Sequence, residues 1–382
     1  MAKQKEVEVV KAVAPKMDKD KKAAVLKALA SVQESFGEDV AFYGNDSKTL
    51  DIESIPTGSL GLDNAIGVGG FPRGRISEIF GAEASGKTLI CLSTIGQCQR
   101  MGGQAVFIDV EQSITKEWCK SLGVDFDNLI IVQPNSGEEA LKVLQKFVET
   151  NAVDLVVLDS IAALVPKSVI DGEIGDITVA AQARLMSQAI SKLTPIISKT
   201  KVAALFINQT RVNIGGYGNP EVTPGGKAMK FYASVRLRVG KVNSSEIKDP
   251  VTGDQIGHRM KVNVVKNKVA SPFRIAEFDL IYTKGIQQKS EVSELAMIKG
   301  IVSNPKGRTY TYKNYTWTSK KDYDQAVKDD QVLCDLLMAD VKKALADKAP
   351  NAVVGEVEEI EEVNGTLVNK KTGEVIEVDG KE

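Results

Sequence analysis

Residues 81–88 read Gly-Ala-Glu-Ala-Ser-Gly-Lys-Thr, a complete G-x-x-x-x-G-K-T phosphate-binding loop. The preceding run, residues 75–80 (RISEIF), is rich in β-branched and aromatic side chains and predicts a short strand. The following run, residues 88–100, is compatible with a helix. A loop between a strand end and a helix N-terminus points its backbone N–H groups at an anion. The alternative is that these residues form a glycine-rich turn by chance. The predicted strand, the loop motif and the predicted helix together favour a nucleoside triphosphate site instead.

The motif assigns chemistry to individual side chains of the loop. Lys87 reaches the β- and γ-phosphates, and the Thr88 hydroxyl is a ligand for Mg²⁺. Backbone groups of the whole loop surround the phosphates. The predicted phosphate-binding residues are Gly81, Ala82, Glu83, Ala84, Ser85, Gly86, Lys87 and Thr88.

The composition restricts the class of protein. A chain of 382 residues is long enough for two or three domains, and a net charge of −1 means that any nucleic-acid contact must come from a local site. There is no run of 18 apolar residues, and the charged N-terminus has no apolar signal core, so we expect a cytoplasmic protein without a membrane span. The four cysteines have no metal-binding spacing, which argues against disulfides and zinc.

Hydrophobic patterning divides the chain into five segments. Residues 20–36 have helical periodicity, and residues 50–285 alternate apolar runs with helical stretches, which predicts an α/β fold with a parallel sheet. A small α+β module follows and ends in a predicted helix over residues 323–348. Residues 355–382 carry nine acidic residues against three lysines. The predicted segments are a disordered leader (1–18), an N-terminal helix and strand (19–49), the α/β core (50–287), the C-terminal α+β module (288–348) and an acidic tail (349–382).

Three further apolar runs end in polar residues suited to a nucleotide. Residues 105–109 (AVFID) end at Asp109, with Glu111 two positions on; residues 154–159 (DLVVLD) end at Asp159; residues 203–208 (AALFIN) lead to Gln209. In an open α/β sheet, ligands bind beyond the carboxyl ends of the strands. These side chains are therefore predicted to meet the phosphate loop at one site.

Each of these polar residues has a functional interpretation and an ordinary one. Asp159 ends an apolar strand as a Mg²⁺-binding carboxylate does, acting through water, or it caps the next helix. Glu111 is a candidate general base for the attacking water, or a surface carboxylate. Gln209 is a candidate sensor of the γ-phosphate, or a buried strand-end amide.

Two loops follow these strands. Residues 210–226 contain five glycines and Tyr217, and the cations Arg211, Lys227 and Lys230 lie in or just beyond this loop. Glycine permits close backbone approach, and cations contact phosphates. The other loop covers residues 171–184. Taken alone, the loops are weak evidence for DNA binding, because a flexible lid over the nucleotide would explain them as well.

Several long blocks together resemble the bacterial RecA recombinases, in order, over roughly residues 20–347. They include PTGSLGLDNAIGVGGFPRGRISEIFGAEASGKT, FIDVE, GEIGD, ARLMSQA, FINQTR, GGKAMKFYASVRL and VKNKVASPF. The resemblance implies a RecA-type P-loop ATPase core with a mostly parallel central sheet, an N-terminal polymerisation helix and a small C-terminal α+β domain. It implies a DNA-dependent ATPase, with ATP and Mg²⁺ as cofactors, that forms filaments on single-stranded DNA and exchanges strands with homologous duplex DNA.

The same resemblance implies partners and further site residues. The partners are single-stranded DNA, homologous double-stranded DNA, other copies of the chain in a helical filament, single-strand-binding protein, loading mediators and an SOS-type repressor. Trp118 stands where the family has an adenine-stacking tyrosine, and Tyr282 matches another adenine neighbour. Lys266 and Lys268 resemble cations that reach the ATP of the neighbouring protomer, and Phe231 resembles an interface residue; the alternatives are surface lysines and a core aromatic. The implied DNA-binding residues are Gly172, Glu173, Ile174, Gly175, Val179, Arg184, Arg211, Asn213, Tyr217, Gly225, Gly226 and Lys227.

The sequence also departs from the family pattern. The second loop is one residue shorter, Tyr217 replaces a phenylalanine, and Ser191 stands where an arginine is common. Residues 366–378 (TLVNKKTGEVIEV) suggest a hairpin in the tail, and such divergence would fit a phage-encoded copy. Residues 306–317 (KGRTYTYKNYTW) suggest duplex DNA binding or a half-buried hairpin. A ring helicase and a nucleotide-gated regulatory filament are the alternative functions.

Overall fold

The fold is described from a computed structural model that covers residues 19–43, 52–173, 180–212, 221–304, 307, 309–346, 360–363 and 366–369. Its contacts divide the chain into two units, residues 1–53 and 54–382. The first unit contains helix α1 (Lys19–Phe36), close to the predicted 20–36. Val25, Leu26 and Phe36 on this helix are exposed.

The second unit contains the remaining helices and all described strands. Its helices are α2 (Leu60–Ile66), α3 (Lys87–Arg100), α4 (Lys116–Ser121), α5 (Gly137–Glu149), α6 (Lys167–Ile170), α7 (Ala181–Thr200), α8 (Ala228–Tyr232), α9 (Gln288–Ile298), α10 (Lys320–Asp329) and α11 (Gln331–Ala346). Its strands are β1 (Ser54–Ile55), β2 (Phe71–Pro72), β3 (Ile76–Gly81), β4 (Ala105–Asp109), β5 (Ile130–Val132), β6 (Leu155–Asp159), β7 (Ala203–Gln209), β8 (Arg211–Val212), β9 (Glu221–Val222), β10 (Val235–Lys248), β11 (Gln255–Asn267), β12 (Ile275–Ile281), β13 (Gly285–Ile286), β14 (Tyr310–Tyr312), β15 (Tyr315–Trp317), β16 (Ile360–Val363) and β17 (Thr366–Asn369).

A nine-stranded sheet forms the centre of the second unit, in the order β13-β12-β11-β10-β3-β7-β6-β4-β5. The pairs from β10 to β5 are parallel, and the pairs from β10 to β13 are antiparallel. The predicted α/β fold with a mostly parallel sheet is therefore confirmed. The register places Gly81 opposite Gln209 and Asp109 opposite Asp159, so four strand ends lie at one edge.

The parallel strands are buried on both faces, which explains their continuous apolar runs. Alternate residues belong to two separate hydrophobic clusters: Phe107, Val157 and Leu205 pack in one, whereas Val106 and Phe206 pack in the other. Helix α3 supplies Ile90 and Ile95 to the first cluster, and helices α5 and α7 cover the other face. This packing fixes the strand ends from which the polar side chains project.

The C-terminal module differs from the sequence prediction in one helix. The predicted helix over residues 323–348 is two helices, α10 and α11, because Asp330 adopts an extended conformation with φ −96° and ψ 106°. The Asp330 carboxylate accepts the Leu333 N–H at 3.1 Å and so starts the second helix. Residues 310–317 form the half-buried hairpin β14–β15, in which Tyr310 and Trp317 pack against Tyr323.

The tail hairpin also differs from the prediction. Strand β17 contains the predicted TLVN segment, but its partner is the upstream strand β16. The predicted partner, within residues 370–378, lies outside the described residues.

Candidate nucleotide site

The phosphate loop connects β3 to α3 and depends on two glycines. Gly86 has a φ of +92°, and a Cβ there would lie 3.1 Å from Met260 and from Leu280. A Cβ on Gly81 would lie 2.1 Å from the Val239 carbonyl oxygen. Neither position therefore tolerates a side chain, and the helix α3 that follows points its N-terminus at the loop.

Lys87 lies at the start of α3 and is only 7% exposed. Its Nζ donates hydrogen bonds to the carbonyl oxygens of Gly81 (3.2 Å) and Ala82 (2.7 Å). Burial lowers the pKa of Lys87, and the nearby carboxylates of Asp159 and Glu111 oppose that shift. The ammonium group is thus held inside the loop, where its charge is available to a phosphate.

Thr88 and Asp159 bring two oxygen ligands together. The Thr88 hydroxyl donates to Asp159 Oδ2 at 2.7 Å, and Asp159 is 2% exposed. Burial raises the pKa of Asp159 to about 6, although the hydrogen bond from Thr88 favours its charged form. Hydroxyl and carboxylate oxygens suit Mg²⁺, which usually takes one or two protein carboxylates together with phosphate oxygens and water. A group of three or more His, Cys, Asp or Glu side chains that could hold a metal ion is absent from the described residues.

Glu111 is oriented by two donors. Ser160 Oγ and Gln209 Nε2 both donate to Glu111 Oε1, the latter at 3.1 Å. The backbone N–H of Glu111 also bonds the Asp159 carbonyl at 3.3 Å, which extends the β4–β6 pairing past Asp109. Asp109 itself is fully buried, accepts the Ser113 N–H and does not line the cavity, whereas Glu111 does.

The cavity beside the loop has a volume of about 240 Å³. Trp118 and Tyr282 contribute to its wall, and Trp118 Nε1 donates to the Tyr282 carbonyl at 3.1 Å. The structure therefore brings the predicted loop, Glu111, Asp159, Gln209 and both aromatic residues to one cavity. It adds His258, which no motif in the sequence indicated.

A buried ion pair supports the sheet below the site, and the sequence analysis did not find it. Glu78 on β3 is fully buried, bonds the guanidinium of Arg236 on β10 and accepts from Asn208 Nδ2 at 2.9 Å. Asn208 Nδ2 also donates to the Pro224 carbonyl at 3.1 Å. The network links β3, which leads into the phosphate loop, to the end of the second loop.

Lys266 and Lys268 do not line the cavity of their own protomer. Lys266 Nζ donates to the carbonyls of Lys230 (2.6 Å) and Phe231 (3.0 Å), and Lys268 Nζ donates to Phe231 at 3.1 Å. The Phe231 side chain is 68% exposed, so it is not a core aromatic residue of the protomer.

The predicted DNA-binding residues are only partly described. Gly172, Glu173, Arg184 and Lys227 are exposed. Gly225 and Gly226 have φ values of +82° and +73°. Arg211 belongs to β8, which pairs with β9 at the base of the second loop. Ile174, Gly175, Val179, Asn213 and Tyr217 lie outside the described residues.

The phosphate loop on a mostly parallel sheet, with the Glu111, Asp159 and Gln209 side chains at neighbouring strand ends, defines a P-loop ATPase. A family profile described as the RecA N-terminal domain matches residues 23–287. Protein RecA of Heliobacterium modesticaldum is 50% identical over 77% of this chain and 84% of the relative. Protein RecA of Lactobacillus acidophilus is 48% identical over 77% of this chain and 80% of the relative. Protein RecA of Rickettsia canadensis is 42% identical over 90% of this chain and 98% of the relative.

The chain belongs to the RecA family, as the match over most of its length shows. It is an ATP-dependent DNA recombinase that acts in recombination and repair, and its enzymatic activity is DNA-dependent hydrolysis of ATP. None of the described helices is long and apolar enough to cross a membrane.

Proposed function

We propose that the chain forms a helical filament on single-stranded DNA, pairs that strand with homologous duplex DNA and exchanges strands under control of the nucleotide site. The observation that carries the proposal is the convergence of Lys87, Asp159, Glu111 and Gln209 on one cavity beside the phosphate loop. Lys87 begins α3, whereas the other three lie at or just beyond the ends of different strands, so their meeting depends on the sheet.

Within the site, the side chains have separate roles. Lys87 binds the β- and γ-phosphates, and Thr88 with Asp159 holds Mg²⁺, the carboxylate acting through water. The bound ion supplies charge stabilisation at the phosphate oxygens. Glu111 orients and deprotonates the attacking water, since its carboxylate lines the cavity and accepts hydrogen bonds from two donors.

Gln209 is the element that couples nucleotide to DNA in this proposal. It contacts Glu111 on one side and directly precedes the second DNA loop on the other. A γ-phosphate that draws the Gln209 amide away from Glu111 would therefore move the start of that loop. Single-strand-binding protein, loading mediators and an SOS-type repressor are further proposed partners, and the cytoplasm is the proposed location.

Strand exchange between a single-stranded circle and a homologous linear duplex tests the proposal. The parent protein should exchange strands with ATP and should pair them with a slowly hydrolysed ATP analogue. Lys87→Ala should lose both activities while keeping the parent's circular dichroism, since it removes the cation held in the loop. Lys146→Ala, an exposed lysine on α5, is the matched control. Exchange at the parent's rate by folded Lys87→Ala would refute the assignment of the site.

A further inference from the structure

His258 is the only histidine of the sequence and lies on β11, with 2% of its surface exposed. It lines the nucleotide cavity together with Ser85 and Tyr282. Its Nδ1 is 3.3 Å from the Tyr282 hydroxyl. Its Nε2 is buried without a hydrogen-bond partner among the residues that the structure describes, and the same is true of Ser85 Oγ. Such atoms are costly unless another state of the protein satisfies them.

The neighbours of the ring determine its tautomer. Gln255 Nε2 donates to the Tyr282 hydroxyl at 3.0 Å, which leaves the tyrosine proton free to be donated to His258 Nδ1. Burial lowers the pKa of His258, and the positive charge of Lys241 adds to that shift, so the environment favours the neutral ring. A neutral ring that accepts at Nδ1 carries its proton at Nε2.

The ring also faces the phosphate loop. Ser85 of the loop lines the same cavity as the ring. Two residues further along β11, the Met260 side chain lies against Gly86 of the loop, because a Cβ at Gly86 would lie only 3.1 Å from it. Strand β11 therefore packs against the phosphate loop, while His258 Nδ1 contacts the Tyr282 hydroxyl.

We propose that His258 is a positioning residue for the nucleotide. It holds the phosphate loop, at Ser85, and the aromatic wall of the cavity, at Tyr282, in fixed positions relative to each other. The inference rests on nucleotide binding in this cavity. Tyr282 fixes the ring through Nδ1, and in the nucleotide-bound loop the ring donates its Nε2–H to Ser85 Oγ. The two atoms without a partner, His258 Nε2 and Ser85 Oγ, would then satisfy each other beside the nucleotide cavity.

Equilibrium binding of a fluorescent ADP to the full-length protein tests the role of His258. His258→Leu removes both ring nitrogens and should weaken ADP binding about tenfold, the size expected for losing one buried hydrogen bond. His258→Gln keeps a terminal amide donor and should recover most of that loss. Tyr282→Phe removes only the hydroxyl and should weaken binding by a similar factor.

A double-mutant cycle separates this role from simple packing. If His258 acts through Tyr282, the double variant His258→Leu/Tyr282→Phe should bind ADP no more weakly than the weaker single variant. The proposal would be overturned if the losses of affinity of the two single variants multiply in the double variant. It would also be overturned if His258→Leu binds ADP within twofold of the parent. Absence of ADP binding by the parent itself would instead refute the nucleotide site.

The single histidine permits a direct check of the tautomer that does not need a variant to fold. Protein labelled with ¹⁵N only in histidine should give one imidazole spin system, protonated at Nε2 near pH 8. ADP should shift the Nε2–H resonance, because that proton gains an acceptor. A proton at Nδ1, or a resonance that ADP leaves unmoved, would contradict the inference.

Discussion

At the scale of single residues, the first prediction concerns Glu111, the proposed general base for hydrolysis. Its carboxylate accepts from Ser160 and Gln209 and faces the cavity, so it is oriented before any water arrives. Glu111→Gln keeps the shape and much of the hydrogen bonding but cannot accept a proton from water. DNA-stimulated ATP turnover should fall by ~10²–10⁴-fold, while ADP and ATP affinity change little.

The control for this prediction lies outside the cavity. Glu149 is an exposed carboxylate at the end of α5 and does not line the nucleotide cavity. Glu149→Gln should turn over ATP at close to the parent's rate, measured by release of phosphate with single-stranded DNA present. Turnover by Glu111→Gln within about threefold of the parent would mean that Glu111 is not the base.

At the scale of secondary-structure elements, buried charge joins strands and helices. Glu291 on α9 is almost fully buried and accepts from Ser59 Oγ (2.6 Å), the Leu60 N–H (3.0 Å) and the Gly61 N–H (2.9 Å) at the start of α2. Burial raises the pKa of Glu291 to about 7, despite these donors. The contact joins the C-terminal module to the α/β core.

A raised pKa in the folded state sets the direction of a pH effect. Glu291 contributes most to stability below its unfolded pKa, and the contribution is lost as the pH rises through about 7. The parent's urea midpoint, followed by fluorescence, should therefore decline relative to Glu291→Gln between about pH 5 and pH 8. A constant difference between the two proteins over that interval would show that Glu291 does not titrate there. Glu294→Gln on the same helix, a more exposed position, is the control.

Breaking the buried ion pair between Glu78 and Arg236 should greatly lower the stability of the fold. Arg236 bonds the fully buried Glu78 and lies 4.6 Å from the centre of the Phe80 ring. Arg236→Ala leaves a buried carboxylate without its partner and should lower the free energy of unfolding by about 3–5 kcal/mol. Lys248→Ala, in an exposed pair on the same strand, should change it by less than about 1 kcal/mol. Equal urea midpoints for the two variants would contradict the buried-pair argument.

Apolar runs located the buried parallel strands closely. The strands at 105–109 and 203–208 were located within a residue, because both of their faces pack in the core. The outer part of β10 has no such signature, since β10 pairs with β3 only as far as Val239 and carries polar residues beyond it.

The residues of the nucleotide site also divide into those that the sequence could place and those that it could not. Lys87, Asp159 and Gln209 could be placed because strand ends have a local signature. His258 and the Glu78–Arg236 pair could not, since their roles arise only when distant strands come together.

At the scale of the whole molecule, we expect the acidic tail to compete with duplex DNA for cationic groups of the protein. Residues 355–382 carry nine acidic residues and three lysines, a net charge of −6. Deleting them should strengthen duplex DNA binding at low salt, and the gain should shrink as salt is added, because exposed charges are screened. A tail of equal length with its acidic residues replaced by Asn and Gln is the control and should behave like the deletion. Equal duplex affinity of all three proteins, measured by fluorescence anisotropy, would exclude the competition.

The second prediction at this scale concerns catalysis between protomers. Lys266 and Lys268 donate to backbone carbonyls beside the exposed Phe231 and lie outside the cavity of their own chain. If they reach the ATP of a neighbouring protomer, Lys266→Ala/Lys268→Ala should bind ADP as the parent does but lose DNA-stimulated hydrolysis. A cation supplied in trans contributes ~10³–10⁵-fold in comparable phosphoryl transfers.

Mixed filaments distinguish action in trans from action in cis. Lys87→Ala is inactive at its own phosphate loop but carries both lysines, whereas the double lysine variant has an intact loop. A protomer of the lysine variant that lies beside a Lys87→Ala protomer therefore has every group needed for one active site. Hydrolysis should rise from near zero to a maximum at intermediate mixing ratios, since productive neighbours are commonest there. If co-assembly on single-stranded DNA is verified and the rate stays at zero across the series, the lysines act within their own chain. A maximum at intermediate ratios can arise only from sites that two protomers share, because neither variant is active alone.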